Sequence, residues 1–348
     1  MCKIASVATF AVVALFAGAG VAQESPFIME GLPPHLEARV ESQSGTLLLS
    51  RIAVPDQFFV SALKVWDVSQ PIKVCFFGGS AQLRTRIANV ALGWTNQGGY
   101  VPLDFGDSQN PRSCSLAEFA QIRVGFDYKG YWSMVGTDSA NLAAQSEQSM
   151  NLSMFNIVPP SDPEFTRVVL HEFGHALGFQ HEHQSYEAPC ANEFNWDAIY
   201  AYLQGDPNYW SIEQIDHNLR PRGESEGQAG PFDKASIMLY SFPKEFYKES
   251  INAQCYTADN DVISQIDGDA IRLFYPVNFA EADATRQQNL QAYFNAVEAS
   301  DASIVEKSVA KLTASGIATT TEEKMKSMVG REAIQLDRLI LQNFNVLQ

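Results

Sequence analysis

The stretch His171-Glu172-Phe173-Gly174-His175-Ala176-Leu177-Gly178-Phe179-Gln180-His181 decides how this chain is read. It fits H-E-x-x-H-x-x-G-x-x-H at every fixed position. Upstream, Asp162 reads as an N-cap and Pro163 as the first helical residue, which predicts a helix running to about Leu177. Four residues separate His171 from His175, so both imidazoles leave one helix face and can grip one metal ion. Glu172 lies one residue round, beside the metal and not on it. Gly178 can adopt positive φ, which ends the helix and turns the chain so that His181 swings back as a third ligand.

Three neutral imidazoles suit one catalytic zinc ion and leave a fourth position open. Zinc there acidifies a bound water, whose proton Glu172 can accept as a peptide carbonyl is attacked. An amphipathic core helix with incidental histidines is the blander reading. It explains neither the third histidine nor the turn-forming glycine, and four of the chain's six histidines fall between 171 and 183. A purely structural zinc site needs a fourth protein ligand. Only His183 is near, and two residues past His181 it is expected to point away, behind the ligands or to the surface.

Working outward, Ile72 to Phe77 reads as a strand ending at Gly78-Gly79, and Ala81 to Trp94 as a helix with Leu83, Ile87, Val90, Ala91 and Trp94 on one stripe. Gln121 to Phe126 and Met150 to Phe155 alternate as strands. The N-terminal 22 residues carry Lys3, an apolar run from Ile4 to Ala19 and a small-x-small site at Gly20-Val21-Ala22, the pattern of a signal peptide cut before Gln23. Export makes the remaining Cys75, Cys114, Cys190 and Cys255 an even set, read as two disulfides. Of the three pairings, Cys75–Cys114 with Cys190–Cys255 is preferred, because each loop then closes within one half of the chain. A net charge of −16 argues against nucleic acid and anionic lipid as partners, and no stretch after the signal is apolar enough to anchor the chain in a membrane.

The eleven-residue motif resembles that of the metzincin zinc endopeptidases. Ser236-Ile237-Met238-Leu239-Tyr240 resembles the turn that underlies the metal in that group, the Met-turn. Glu182 after the third histidine and Tyr240 two residues past the methionine are similar to the astacin branch. Ile263 to Tyr275 resembles that branch's closing helix, and Trp132-Ser133 and Met150-Asn151-Leu152 look like further pieces of the domain. The resemblance implies zinc on His171, His175 and His181, and Glu172 as general base and then acid. It also implies Met238 as an apolar floor, and Tyr240 as a zinc ligand at rest or an oxyanion donor in turnover. The cysteine layout and residues 183–192 depart from animal astacins, which points to a bacterial or fungal branch. The leader lacks both an F-x-G-D latch and a cysteine latch.

The fold class expected is α+β, a metzincin-type domain of two lobes with a twisted sheet and an active-site helix, followed by a helical C-terminal extension. Residues 1–22 are the signal, 23–62 a leader in the position of a propeptide, 63–276 the protease domain and 277–348 the extension, with a capping box at Thr320 to Glu323. The 150–155 segment is expected at the sheet edge, where extended substrate can pair. The function expected is that of a secreted (extracellular or periplasmic) monomeric zinc endopeptidase acting on protein or peptide. The rivals are a divergent matrixin-like protease and a zinc-holding adhesin or binding module without turnover.

Overall fold

The computed structural model describes residues 31–47, 64–66, 68, 70–222, 231–258 and 260–277. The signal segment, the helices expected over 280–348 and the capping box at 320–323 lie outside them. One five-stranded sheet comprises β1 (Ile72–Phe76), β2 (Leu103–Asp104), β3 (Ile122–Gly125), β4 (Tyr131–Ser133) and β5 (Met150–Leu152), in the order β2-β1-β3-β5-β4. All neighbours are parallel except β4, which runs antiparallel to β5. The helices are α1 (Pro34–Leu47), α2 (Ala81–Ala91), α3 (Asp138–Asn141), α4 (Glu164–Ala176), α5 (Cys190–Glu193), α6 (Trp196–Leu203), α7 (Ile212–Leu219) and α8 (Gln265–Phe274).

Every residue of β3 is buried, as a parallel strand covered on both faces must be. Two apolar cores make two lobes. The upper core joins Val74, Ile122 and Val124 of the sheet to Phe165, Val169 and Phe173 of α4 and to Ile87 and Ala91 of α2. The lower core gathers Phe194, Ile199, Leu203, Ile215 and Phe242 around the Cys190–Cys255 disulfide. Cys75 is bonded to Cys114 in the upper lobe. Helix α2 starts on Ser80, whose Oγ accepts from the Leu83 amide, and ends at Ala91; Trp94 opens a short 3-10 turn instead of extending it.

Two sequence expectations fail here. Met150–Leu152 is not an edge of the sheet: it lies between β3 and β4, and β4 is the edge on that side. The buried Asn151 side chain donates to the carbonyls of Tyr128 and Gly130 and accepts from the Tyr128 amide. Those three bonds fold the β3–β4 connection back, so β4 lands on the outer side of β5. Asp162 does not cap α4 either. Pro163 occupies the cap position in helical conformation, and the Asp162 carboxylate instead accepts from Thr166 Oγ1 and Arg86 Nη2.

The leader contributes α1, a helix that proline punctuation alone did not predict; Pro34 serves as its first residue. Leu36 is buried with Trp132, Met134 and Ala143, and Arg39 donates to Leu142 O and to the Glu147 carboxylate. On the other side, Gln214 Nε2 of α7 lies 3.4 Å from Glu37 Oε2, and Gly31 packs on the Trp210 ring. The segment therefore touches both lobes.

Candidate metal centre

Helix α4 carries the first two histidines and is anchored at its C-terminal end. The Ala176 and Leu177 carbonyls, which have no partner within the helix, accept from Trp66 Nε1 and the Tyr275 hydroxyl. Gly178 has φ of 105°, and its amide donates to His175 O, so the chain reverses there as the sequence required. His181 then faces back toward α4. His171 Nδ1 lies 2.7 Å from Ile237 O, and His175 Nδ1 lies 2.8 Å from Phe179 O. A carbonyl can only accept, so each Nδ1 carries the proton and each Nε2 is left with its lone pair.

His175 Nε2 and His181 Nε2 are 3.1 Å apart, and one ligand atom from each of His171, His175 and His181 lies within 4.8 Å of the others. Zinc–nitrogen bonds of about 2.0–2.1 Å in tetrahedral geometry set ligand nitrogens about 3.3–3.4 Å apart, close to the His175–His181 spacing, and three neutral imidazoles are a donor set that suits the ion. Glu172 is buried on the same helix. The Tyr240 ring lies 6.0 Å from that of His171 and 5.6 Å from that of His181. Met238 is buried beneath α4, and a Cβ at Gly174 would stand 2.4 Å from its Sδ. Gly174 is thus the residue that lets the Met238 side chain reach the underside of the helix. The structure brings together all six residues named from the sequence: His171, Glu172, His175, His181, Met238 and Tyr240.

Of the two places the sequence left open for His183, the structure gives the one behind the ligands and not the surface. Its ring stacks on His181 at 5.1 Å and meets Phe242 edge-on at 4.8 Å. Nε2–H donates to Asn218 O, and Nδ1 makes no hydrogen bond. Burial pushes its pKa well below the usual range and keeps it a neutral wall of the site. Glu182, noted in the sequence only as a branch marker, is buried, and its carboxyl accepts from the Asp233 amide. Burial, with Asp267 and Asp233 adding like charge, pushes its pKa up to about 8. Asp267 lies in the stretch that resembles the closing helix, and the sequence alone assigns it no role. Its spacing after Ser264, an S-x-x-D capping box, is the signal that could have found it.

The profile of the astacin peptidase family matches residues 117–275. Human meprin A subunit beta is 26% identical over 220 residues, 56% of this chain. The chain spans only 28% of the length of that relative. The solved structure of myroilysin is 32% identical, with a TM-score of 0.53, and the match covers 64% of this chain and 100% of myroilysin. The profile ends on Tyr275, whose hydroxyl donates to the C-terminal end of α4, and it takes in the motif, the methionine turn and α8. The chain belongs to the astacin family of zinc metalloendopeptidases.

Proposed function

We propose that the protein is a secreted, monomeric, zinc-dependent endopeptidase acting on protein or peptide substrates. The observation that carries this reading is the convergence of three imidazole nitrogens, two of them aimed by carbonyls behind their rings. His171, His175 and His181 hold the ion. Zinc, when bound, supplies Lewis-acid activation of water and of the scissile carbonyl. Glu172, next to His171 on α4, accepts the water's proton and later returns it to the leaving amine. Tyr240, across the cleft on the lower lobe, donates its hydroxyl to the oxyanion that develops on the substrate. Extended substrate pairs with the edge strand β4.

Residues 1–22 direct export, and the two disulfides suit an oxidising compartment. Among the described residues no helix is long and apolar enough to cross a membrane. Residues 23–62 act as a propeptide. What supports this is α1, which bridges the lobes and lines, through Glu37 and Val40, the same pocket as His175, His181 and Trp132. Residues 63–276 form the catalytic domain, followed by a C-terminal extension over 277–348.

Digestion of casein with and without a chelator tests the reading. Glu172→Gln should keep its zinc and lose about 10²–10⁴-fold in rate. Tyr240→Phe should lose at most about 10²–10³-fold. Zinc-loaded protein freed of residues 23–62 that leaves casein intact would return the zinc-holding binding module as the better account.

A further inference from the structure

We propose that Asp267, in the first turn of α8, is a positioning residue for the metal centre, holding the peptide that aims His171. The proposal rests on the zinc-site reading above and adds a residue that does not touch the ion. A capping box asks one thing of its carboxylate, to accept from the cap amide, and Asp267 Oδ2 does so from Ser264 N at 3.0 Å. Asp267 does two further things. Its Oδ1 accepts from Ser236 Oγ at 2.7 Å, and its Oδ2 also accepts from Ile237 N at 2.9 Å. Both partners belong to the methionine turn, about thirty residues earlier in the chain.

The link then runs straight to the ligands. Ser236 Oγ, its proton given to Asp267, accepts from Met238 N at 3.0 Å. That amide belongs to the peptide whose carbonyl, Ile237 O, accepts from His171 Nδ1 at 2.7 Å. The next carbonyl, Met238 O, accepts from the Glu182 amide, one residue past His181. One carboxylate thus orients a hydroxyl, the hydroxyl orients a peptide, and the peptide sets the tautomer and direction of one ligand while its neighbour braces another. Asp267 is 4% exposed, Ser236 1% and His171 1%, so water cannot replace any member of the chain. Partners behind ligating histidines are worth about 10–100-fold in metal affinity when removed. The plain alternative is that Asp267 only caps α8.

The test is the zinc dissociation constant of the full purified chain, by competition with a chromophoric chelator, with folding followed by circular dichroism. Asp267→Asn keeps the shape but puts an N–H donor among three donors. It should bind zinc about 10–100-fold more weakly. Ala270→Gly, which weakens α8 without touching the methionine turn, should lower Tm and leave zinc affinity within about threefold, since it removes none of these bonds. Ser236→Ala cuts the same link from the other side and should also weaken zinc binding, which covers the case in which Asp267→Asn does not fold. Folded Asp267→Asn or Ser236→Ala with wild-type affinity overturns the proposal. So does Ala270→Gly losing as much zinc affinity as Asp267→Asn. Wild type that binds no zinc at all sinks the metal reading itself, a result distinct from these.

Discussion

Gly174→Ala sets helix propensity against packing, and the structure says which wins. Gly174 lies inside α4, between the two histidines of the motif. In an ordinary helix interior the change to Ala stabilises by about 1 kcal/mol. Here the new Cβ would stand 2.4 Å from Met238 Sδ and 3.0 Å from Trp94 Cζ2. Comfortable contact needs about 3.5–4 Å, so the sulfur must retreat by roughly an ångström. It has little freedom to do so: Met238 is 1% exposed, its amide is held by Ser236 and its carbonyl by the Glu182 amide. Overpacking of this kind costs about 1–3 kcal/mol. The balance is a net loss of about 0–2 kcal/mol in urea unfolding at matched metal content, with weaker zinc binding alongside. In a Met238→Ala background the sulfur is gone, and the same substitution should turn neutral or stabilising, a coupling of about 1–3 kcal/mol. If Gly174→Ala stabilises the wild type, or acts equally in both backgrounds, the packing argument is wrong.

Leu36→Asp puts a carboxylate into the apolar cluster that docks α1 beside β4. Losing that burial, worth about 1.5–3 kcal/mol for a leucine, should shift α1 off the cleft and raise casein cleavage by at least about tenfold. An unchanged rate would mean that α1 does not restrain the site. Glu182→Gln addresses pH. With its folded pKa raised to about 8, Glu182 leaves stability fully present below its ordinary pKa, near 4.5, and erodes it as pH rises toward 8. In metal-free protein, wild type should therefore lose on the order of a few kcal/mol relative to Glu182→Gln across that window. Parallel Tm–pH curves for the two proteins would show that Glu182 ionises without cost.

The residues of the site were legible because their constraint is local. Spacing of four on a helix, a glycine turn and a third histidine three residues later specify a metal geometry with little help from the rest of the fold. The apolar stripe on α2 and the run that became β1 were legible for the same reason: periodicity reports burial directly. What escaped is what tertiary contacts decide. Strand order depends on Asn151 pulling the β3–β4 connection back, and no period in the sequence carries that information. His183 stays beside His181 because Phe242 and Asn218 O receive it, both far along the chain. The α4 cap failed because Pro163 took the position that Asp162 was expected to fill. Helix α1 escaped because its own sequence is weakly amphipathic, and its stability comes from Trp132, Met134 and Glu147.

Whether the three histidines hold zinc is decided by elemental analysis of the purified chain, wild type beside His175→Ala. His175 contributes one of three converging nitrogens, and its Nδ1 anchor on Phe179 O fixes which nitrogen faces the ion. About one zinc per wild-type chain is expected, with near-complete loss in a folded His175→Ala. Full zinc occupancy in that variant, or a folded wild type that takes up none, would show that His171, His175 and His181 are not the zinc site.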